Sequence, residues 1–137
     1  MAEKMSFVAF SGTADKLQAL ATMVSGAAAM GVETHVFLTF WGLNAFRKDL
    51  ITTPMPISPE YGPAGEQVRD LMVKKGVQPW YEVLGMAKDI GDVKIHACAM
   101  TMDLMDLQQS DLDPMVDDVL GVGTFIGMSE GGSVLFI

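Results

Sequence analysis

The segment "KIHACAMTMDLM", residues Lys94 to Met105, holds the chain's single cysteine, Cys98, where a strand pattern gives way to a helical one. "VKIHAC" is short and apolar, and the Met/Leu pattern after it meets its first carboxylate at Asp103. In open parallel sheets, ligands and chemistry gather at the C-terminal ends of strands, which is where this pattern puts Cys98. A helix starting just beyond it directs unpaired backbone N–H groups at the sulfur and favours the thiolate, the nucleophilic form. The position therefore suits covalent sulfur chemistry. The plainer alternative is a small buried hydrophobe, the role most lone cysteines fill.

Other chemistry-bearing residues form no comparable constellation. One cysteine allows no intramolecular disulfide and no CxxC redox pair, and it fits a reducing compartment. His35 and His96 both lie in strand patterns, where a hydrogen-bonded core imidazole is the ordinary role. His96 shares a strand face with Cys98, so tuning of the thiol is the sharper alternative. One cysteine and two histidines without close ligand spacing make no zinc site. "GVGTFIG" does not follow a strand in the manner of a dinucleotide fingerprint and lacks its downstream acid, so no nucleotide cofactor is expected. Asp103, Asp106, Asp111, Asp113, Asp117 and Asp118 form an acidic band, read either as a solvated face with helix caps or as a docking surface.

The elements that must position Cys98 follow from patterning. "MSFVAF" (Met5 to Phe10) is a first strand. "SGT" turns the chain, and Thr13 and Asp15 suit the start of a helix with Leu17, Leu20, Ala21, Val24 and Ala28 on one face. Gly31 ends it. "VETHVFLTFW" (Val32 to Trp41) is nearly continuous in bulky apolar residues, as a strand covered on both faces must be. "GLNAFRKDL" reads as a short helix. "ITTPMPISPEYGPAG" (Ile51 to Gly65) carries four prolines and is an excursion over the sheet's C-terminal edge: a lid, a subunit contact or a plain loop. Two helices follow, one with Val68, Leu71 and Met72 inward, the other with a Trp80, Val83, Leu84 and Ala87 stripe behind Pro79. After "VKIHAC" come two further helical stretches, "MDLMDLQQ" and "DPMVDDVLGVG", then "TFIGMSEG" as a short helix and "SVLFI" as the last strand. The alternation predicts one α/β domain over 1–137, a three-layer α/β/α sandwich with a mainly parallel sheet of about four to five strands.

Composition sets the surroundings. The 137 residues are half hydrophobic, with mean hydropathy +0.30, yet no stretch approaches the roughly 18 uninterrupted apolar residues of a membrane-spanning helix. The start of the chain lacks a signal-peptide pattern, so a cytoplasmic protein is expected. A net charge of −8 argues against nucleic-acid binding. Twelve methionines fit either a Met-rich core or an adaptable surface between copies in a homo-oligomer.

"HACAMTMDLM" (His96 to Met105), "VFLTFWGL" (Val36 to Leu43), "GAAAMG" (Gly26 to Gly31) and the terminal "VLFI" together resemble the DsrE-like proteins, within them the DsrE2-type, peroxiredoxin-like branch. That resemblance covers nearly the whole chain. It implies a three-layer α/β/α domain that forms oligomers and works in intracellular sulfur trafficking, with Cys98 carrying sulfur as a persulfide or thiosulfonate. Carried over, Thr39, Phe40 and Trp41 wall the pocket, Ser11 and Gly12 lie in the first βα turn, and Met100 and Thr101 follow the cysteine. Ordinary core packing is the competing role for Trp41, Met100 and Met102. Asp106 stands where this branch is expected to have a glycine. The implied donor is a small sulfane compound such as thiosulfate or polysulfide, and the implied acceptor a partner thiol, for instance on a basic sulfur-carrier protein. Two other functions compete: a non-catalytic scaffold with Cys98 as filler, and a thiol peroxidase, which needs an arginine this segment does not offer.

Overall fold

The computed structural model describes residues 4–137. Its five strands are β1 (Lys4–Ala9), β2 (Glu33–Leu38), β3 (Val93–Cys98), β4 (Asp118–Leu120) and β5 (Ser133–Phe136). They form one sheet in the order β4-β3-β2-β1-β5, with every pairing parallel. The six helices are α1 (Ala14–Ala29), α2 (Phe40–Asn44), α3 (Pro63–Lys74), α4 (Trp80–Ile90), α5 (Ala99–Leu104) and α6 (Val122–Ser129). From β1 to β4 the chain steps in one direction across the sheet, so right-handed crossovers place α1 and α4 on the same face. The step from β4 to β5 runs back the other way and puts α6 on the opposite face. The α/β/α sandwich is therefore lopsided, with α6 the one regular helix on its second side.

The register sorts the side chains. Phe7, Val36 and Ile95 are Cα partners in one row, Ala9, Leu38 and Ala97 in the next, and all six are buried. They share the core with Leu17, Leu20, Ala21 and Val24 of α1 and with Trp80, Leu84 and Ala87 of α4. On the other face, Phe37 stacks on Phe125 of α6 at 4.5 Å. Beyond that contact the second face thins out, and Val122, Ile126, Val134 and Phe136 are exposed.

Several expectations are corrected. "DPMVDDVLGVG" is not a helix: it supplies a loop and the three-residue edge strand β4. Its conformation is fixed by side chains on a neighbouring strand, because Asp117 accepts a hydrogen bond from the Ile95 amide, and periodicity has no access to that. The second strand stops at Leu38, and Phe40 and Trp41 belong to α2. In α3, Val68 and Leu71, expected inward, face solvent, Met72 is half-buried, and only Gly65 is fully buried. The proline-rich segment is tied down: Ala14 donates to the Pro56 carbonyl at 2.8 Å, and the Ser58 amide donates to Asp15. Met1 to Glu3, part of the signal-peptide reading, lie outside the described residues.

Asp106 has φ +52, in the left-handed region. It closes α5 as a Schellman motif, with Asp106 donating to the Asp103 carbonyl and Leu107 to that of Met102. The backbone thus takes the conformation that the expected glycine would favour. Asp106→Gly is expected to stabilise the fold by about 0.5–1 kcal/mol in chemical denaturation, by removing the Cβ penalty.

Candidate functional site

Cys98 ends β3 and occupies the N-cap position of α5, with extended backbone (φ −71°, ψ 119°). This is the strand-to-helix junction expected from sequence. The residue is 4% exposed and belongs to the hydrophobic core, as the plainer of the two readings has it. α5 is only six residues long, its backbone amides make no capping hydrogen bond to the Cys98 side chain, contrary to the expectation from sequence, and the thiol is covered.

Thr101, one turn on, is fully buried and ties β3 to β2. Its hydroxyl lies 3.1 Å from that of Thr39 and accepts from the Phe40 amide at 3.2 Å. Phe40 has φ +47°, a costly conformation for a bulky residue, and one found at sites whose surroundings over-determine it. Its ring lies 5.5 Å from Phe10, which in turn stacks at 5.8 Å on Phe136, so three aromatic rings line the sheet's C-terminal edge.

The residues expected to form one pocket fall into two groups. Thr39, Phe40 and Thr101 form the buried tie beside Cys98. Ser11, Gly12 and Trp41 instead line a separate cleft of about 190 Å³, together with Thr13, Asn44 and Met55. Gly12 is required there by close approach, since a Cβ would lie 2.5 Å from the Trp41 carbonyl oxygen. Trp41 is 57% exposed, and Met100 too is exposed, so neither shields the sulfur within this chain. Thr13 holds the N-cap position of α1, but its hydroxyl faces Ser11 and Ser58 and accepts no helix hydrogen bond.

One arrangement was missed by sequence reasoning. Glu33 Oε2 lies 2.7 Å from His35 Nε2, His35 Nδ1 lies 3.0 Å from His96 Nε2, and His96 Nδ1 lies 2.6 Å from Asp118 Oδ1. The row crosses β2, β3 and β4 on the α6 side, with both imidazoles buried and both carboxylates about half exposed. Both nitrogens of His96 are thereby engaged, which leaves neither for the thiol. The signal in the sequence is Glu33 and His35 two residues apart on one strand face; the register to β3 and β4 is not in it.

Much of the acidic band is structural. Asp111 accepts from the Gln108 amide, Asp113 from Met115, and Asp118 meets His96. Asp117 joins Lys88 of α4, at 2.5 Å, to the Ile95 amide of β3. Burial acts to raise its pKa, but the Lys88 and Ile95 hydrogen bonds outweigh it and hold the carboxyl below the usual range. A depressed folded-state pKa gives stability that is present above the ordinary carboxylate value near 3.9 and is lost as pH falls through the folded value. Asp117→Asn is therefore expected to lower the denaturation midpoint at pH 7 and to flatten its fall below about pH 4.

Among the described residues no helix is long and apolar enough to cross a membrane, and no cluster of three or more His, Cys, Asp or Glu fits a metal ion. The profile of the DsrE/DsrF/DrsH-like family matches residues 1–64 and 59–136. The chain belongs to that family. It is 33% identical to the uncharacterized protein YrkE of Bacillus subtilis, covering 98% of this chain and 97% of that one. It is 27% identical to the sulfur carrier protein DsrE2 of Allochromatium vinosum, covering 98% of each. Among solved structures, a Methanobacterium thermoautotrophicum protein of unknown function, MTH1491, shares the fold, with TM-score 0.60 at 19% identity over 98% of both chains.

Proposed function

We propose that this family member is a sulfur carrier in which Cys98 accepts sulfane sulfur and passes it to a partner thiol. The observation that carries the reading is the placement of the only thiol at the C-terminal end of strand β3, at the N-cap position of α5, in a chain related along 98% of its length to a named sulfur carrier. With polysulfide as donor, the Cys98 thiolate attacks a sulfane sulfur and forms a new S–S bond. The donor's S–S bond breaks, and a shorter polysulfide anion leaves with the electron pair. Attack by an acceptor thiolate on the terminal sulfur reverses the step, so no external oxidant or reductant is needed. A lone cysteine suits this, since no second thiol within the chain can resolve the persulfide into a disulfide.

Finer features of the reading concern partners. The net charge of −8 supports a basic protein as acceptor. The exposed Val122, Ile126, Val134 and Phe136 on the thin side of the sandwich support contact with further copies of the chain.

One observation favours a second reading. Cys98 is buried, as core filler in a non-catalytic scaffold would be. Intact mass after incubation with polysulfide separates the two: the carrier gains one or more sulfur atoms on Cys98, and the scaffold gains none.

A further inference from the structure

The proline-rich segment, α3 and the starts of α1 and α4 surround a space that the chain does not fill. Gly65 seats the first turn of α3 on Ile57, where a Cβ would lie 2.6 Å from the isoleucine Cγ2. Arg69, one turn on, donates to the Met55 carbonyl and fastens the helix to the proline-rich segment. Beyond α3 the chain turns at Gly76, with φ +65°. The Gln78 carbonyl, just ahead of α4, accepts from the Gln18 side chain of α1 at 3.1 Å. The cleft that these ties border has a volume of about 260 Å³.

Met55, Ile57, Met72, Pro79 and Trp80 give the cleft its apolar walls, and Arg69 is the only charged residue lining it. A guanidinium carries five N–H donors. The Met55 carbonyl takes one, and Glu66 stands 3.3 Å from Nε. The Glu66 side chain is 68% exposed, so that ion pair is worth little and yields readily. Among the described residues the other N–H groups of Arg69 meet no acceptor.

Trp80 supplies a second donor. It is 6% exposed, with its ring edge-on to Phe46 and to Tyr81. A buried indole N–H ordinarily finds a partner, yet among the described residues this one has none. Nor is it sealed in, since Ser6 Oγ is the only unpartnered side-chain polar atom among those residues that is shut off from solvent. The Trp80 N–H is therefore reachable, and the cleft is the space that Trp80 borders.

Two donors and no carboxylate thus line an apolar slot. A cation would be repelled by Arg69, and a polyhydroxylated molecule would leave hydroxyls unpaired against Ile57, Met72 and Trp80. The net charge of −8 repels anions at long range, so an anion held here owes its affinity to the local guanidinium and to apolar contact. We propose that the cleft binds a small monocarboxylate with an apolar body, such as a medium-chain fatty acid. Its carboxylate accepts from Arg69 and Trp80, and its chain lies along Ile57, Met72 and Pro79. Cys98 is not among the lining residues, so the assignment stands apart from the sulfur-carrier reading.

The chain has two tryptophans, and Trp41 lines the other cleft, so nitrogen-15 NMR of the two indole N–H groups reads the sites separately. Trp41→Phe assigns the peaks. Octanoate at millimolar concentration is expected to move the Trp80 resonance saturably and to leave that of Trp41 in place. Octanol, with the same tail and no charge, is expected to bind about tenfold more weakly, as the loss of a charge-assisted hydrogen bond requires. Arg69→Gln is expected to bring octanoate down to the affinity of octanol. Because Arg69 also holds the Met55 carbonyl, Val73→Glu is the companion variant. It adds a negative charge at a lining position that is 78% exposed, leaves that tie intact, and is expected to weaken octanoate but not octanol. No saturable shift at Trp80, or equal affinity for octanoate and octanol, would overturn the assignment. So would octanoate binding that survives both substitutions unchanged.

Discussion

Cys98→Ser is expected to abolish the sulfur adduct that native protein acquires from polysulfide, with intact mass unchanged after incubation. The effect is all-or-none because the chain offers no second thiol to take the sulfur over. The buried state of Cys98 adds a kinetic signature. Attack requires a local opening around the thiol, so the native adduct should form more slowly than a persulfide on an unfolded chain. A serine hydroxyl in an apolar site costs about 1–3 kcal/mol if left without a partner. Cys98→Ala is therefore the companion variant: it removes the sulfur without adding a polar atom, and it too should gain no mass. A native protein that stays unmodified while its unfolded chain is modified would sink the carrier reading and leave the scaffold.

How far the sequence reaches can be judged from individual residues. Four of the five strands were legible as apolar runs, and α1 and α4 as 3.6-residue stripes. The Leu17–Ala28 stripe and the Trp80–Ala87 stripe bury as their spacing predicts. Cys98 falls at the expected end of the expected strand. Its burial was not legible, because strand alternation gives the face a side chain takes and not how fully other elements cover that face. β4 was missed for a related reason: three residues give no period, and their pairing is dictated by Asp117 and Asp118 reaching across to β3. The histidine pair shows the same limit. Strand alternation says that His35 and His96 each face one side, but only the register shows the two rings meeting. Contacts within an element were readable, and contacts set by register between elements were not.

That distinction points to the most severe single substitution expected here. Gly42 lies in α2, where sequence alone gives it no special role beyond its place in "TFWGL". Its amide donates to the Phe10 carbonyl at 2.9 Å, which presses the first turn of α2 against the end of β1. A Cβ at this position would lie 2.0 Å from the Ala9 carbonyl oxygen and 2.7 Å from its carbon. Both obstacles are backbone, and Ala9 is itself fixed in the ladder to Leu38, so no side-chain rotation relieves the clash. Gly42→Ala is expected to destabilise the fold by about 3 kcal/mol or more in urea denaturation, beyond the usual range for an extra methylene in a core. The same change at Gly85 in α4, where an added Cβ meets nothing within 4 Å, is expected to stabilise by up to about 1 kcal/mol through helix propensity. Opposite signs from one chemical substitution would trace the cost at Gly42 to the contact between β1 and α2. A loss at Gly42 under about 0.5 kcal/mol would mean that the two elements can separate, and that the C-terminal edge beside Cys98 is held by Thr101 and the aromatic rings instead.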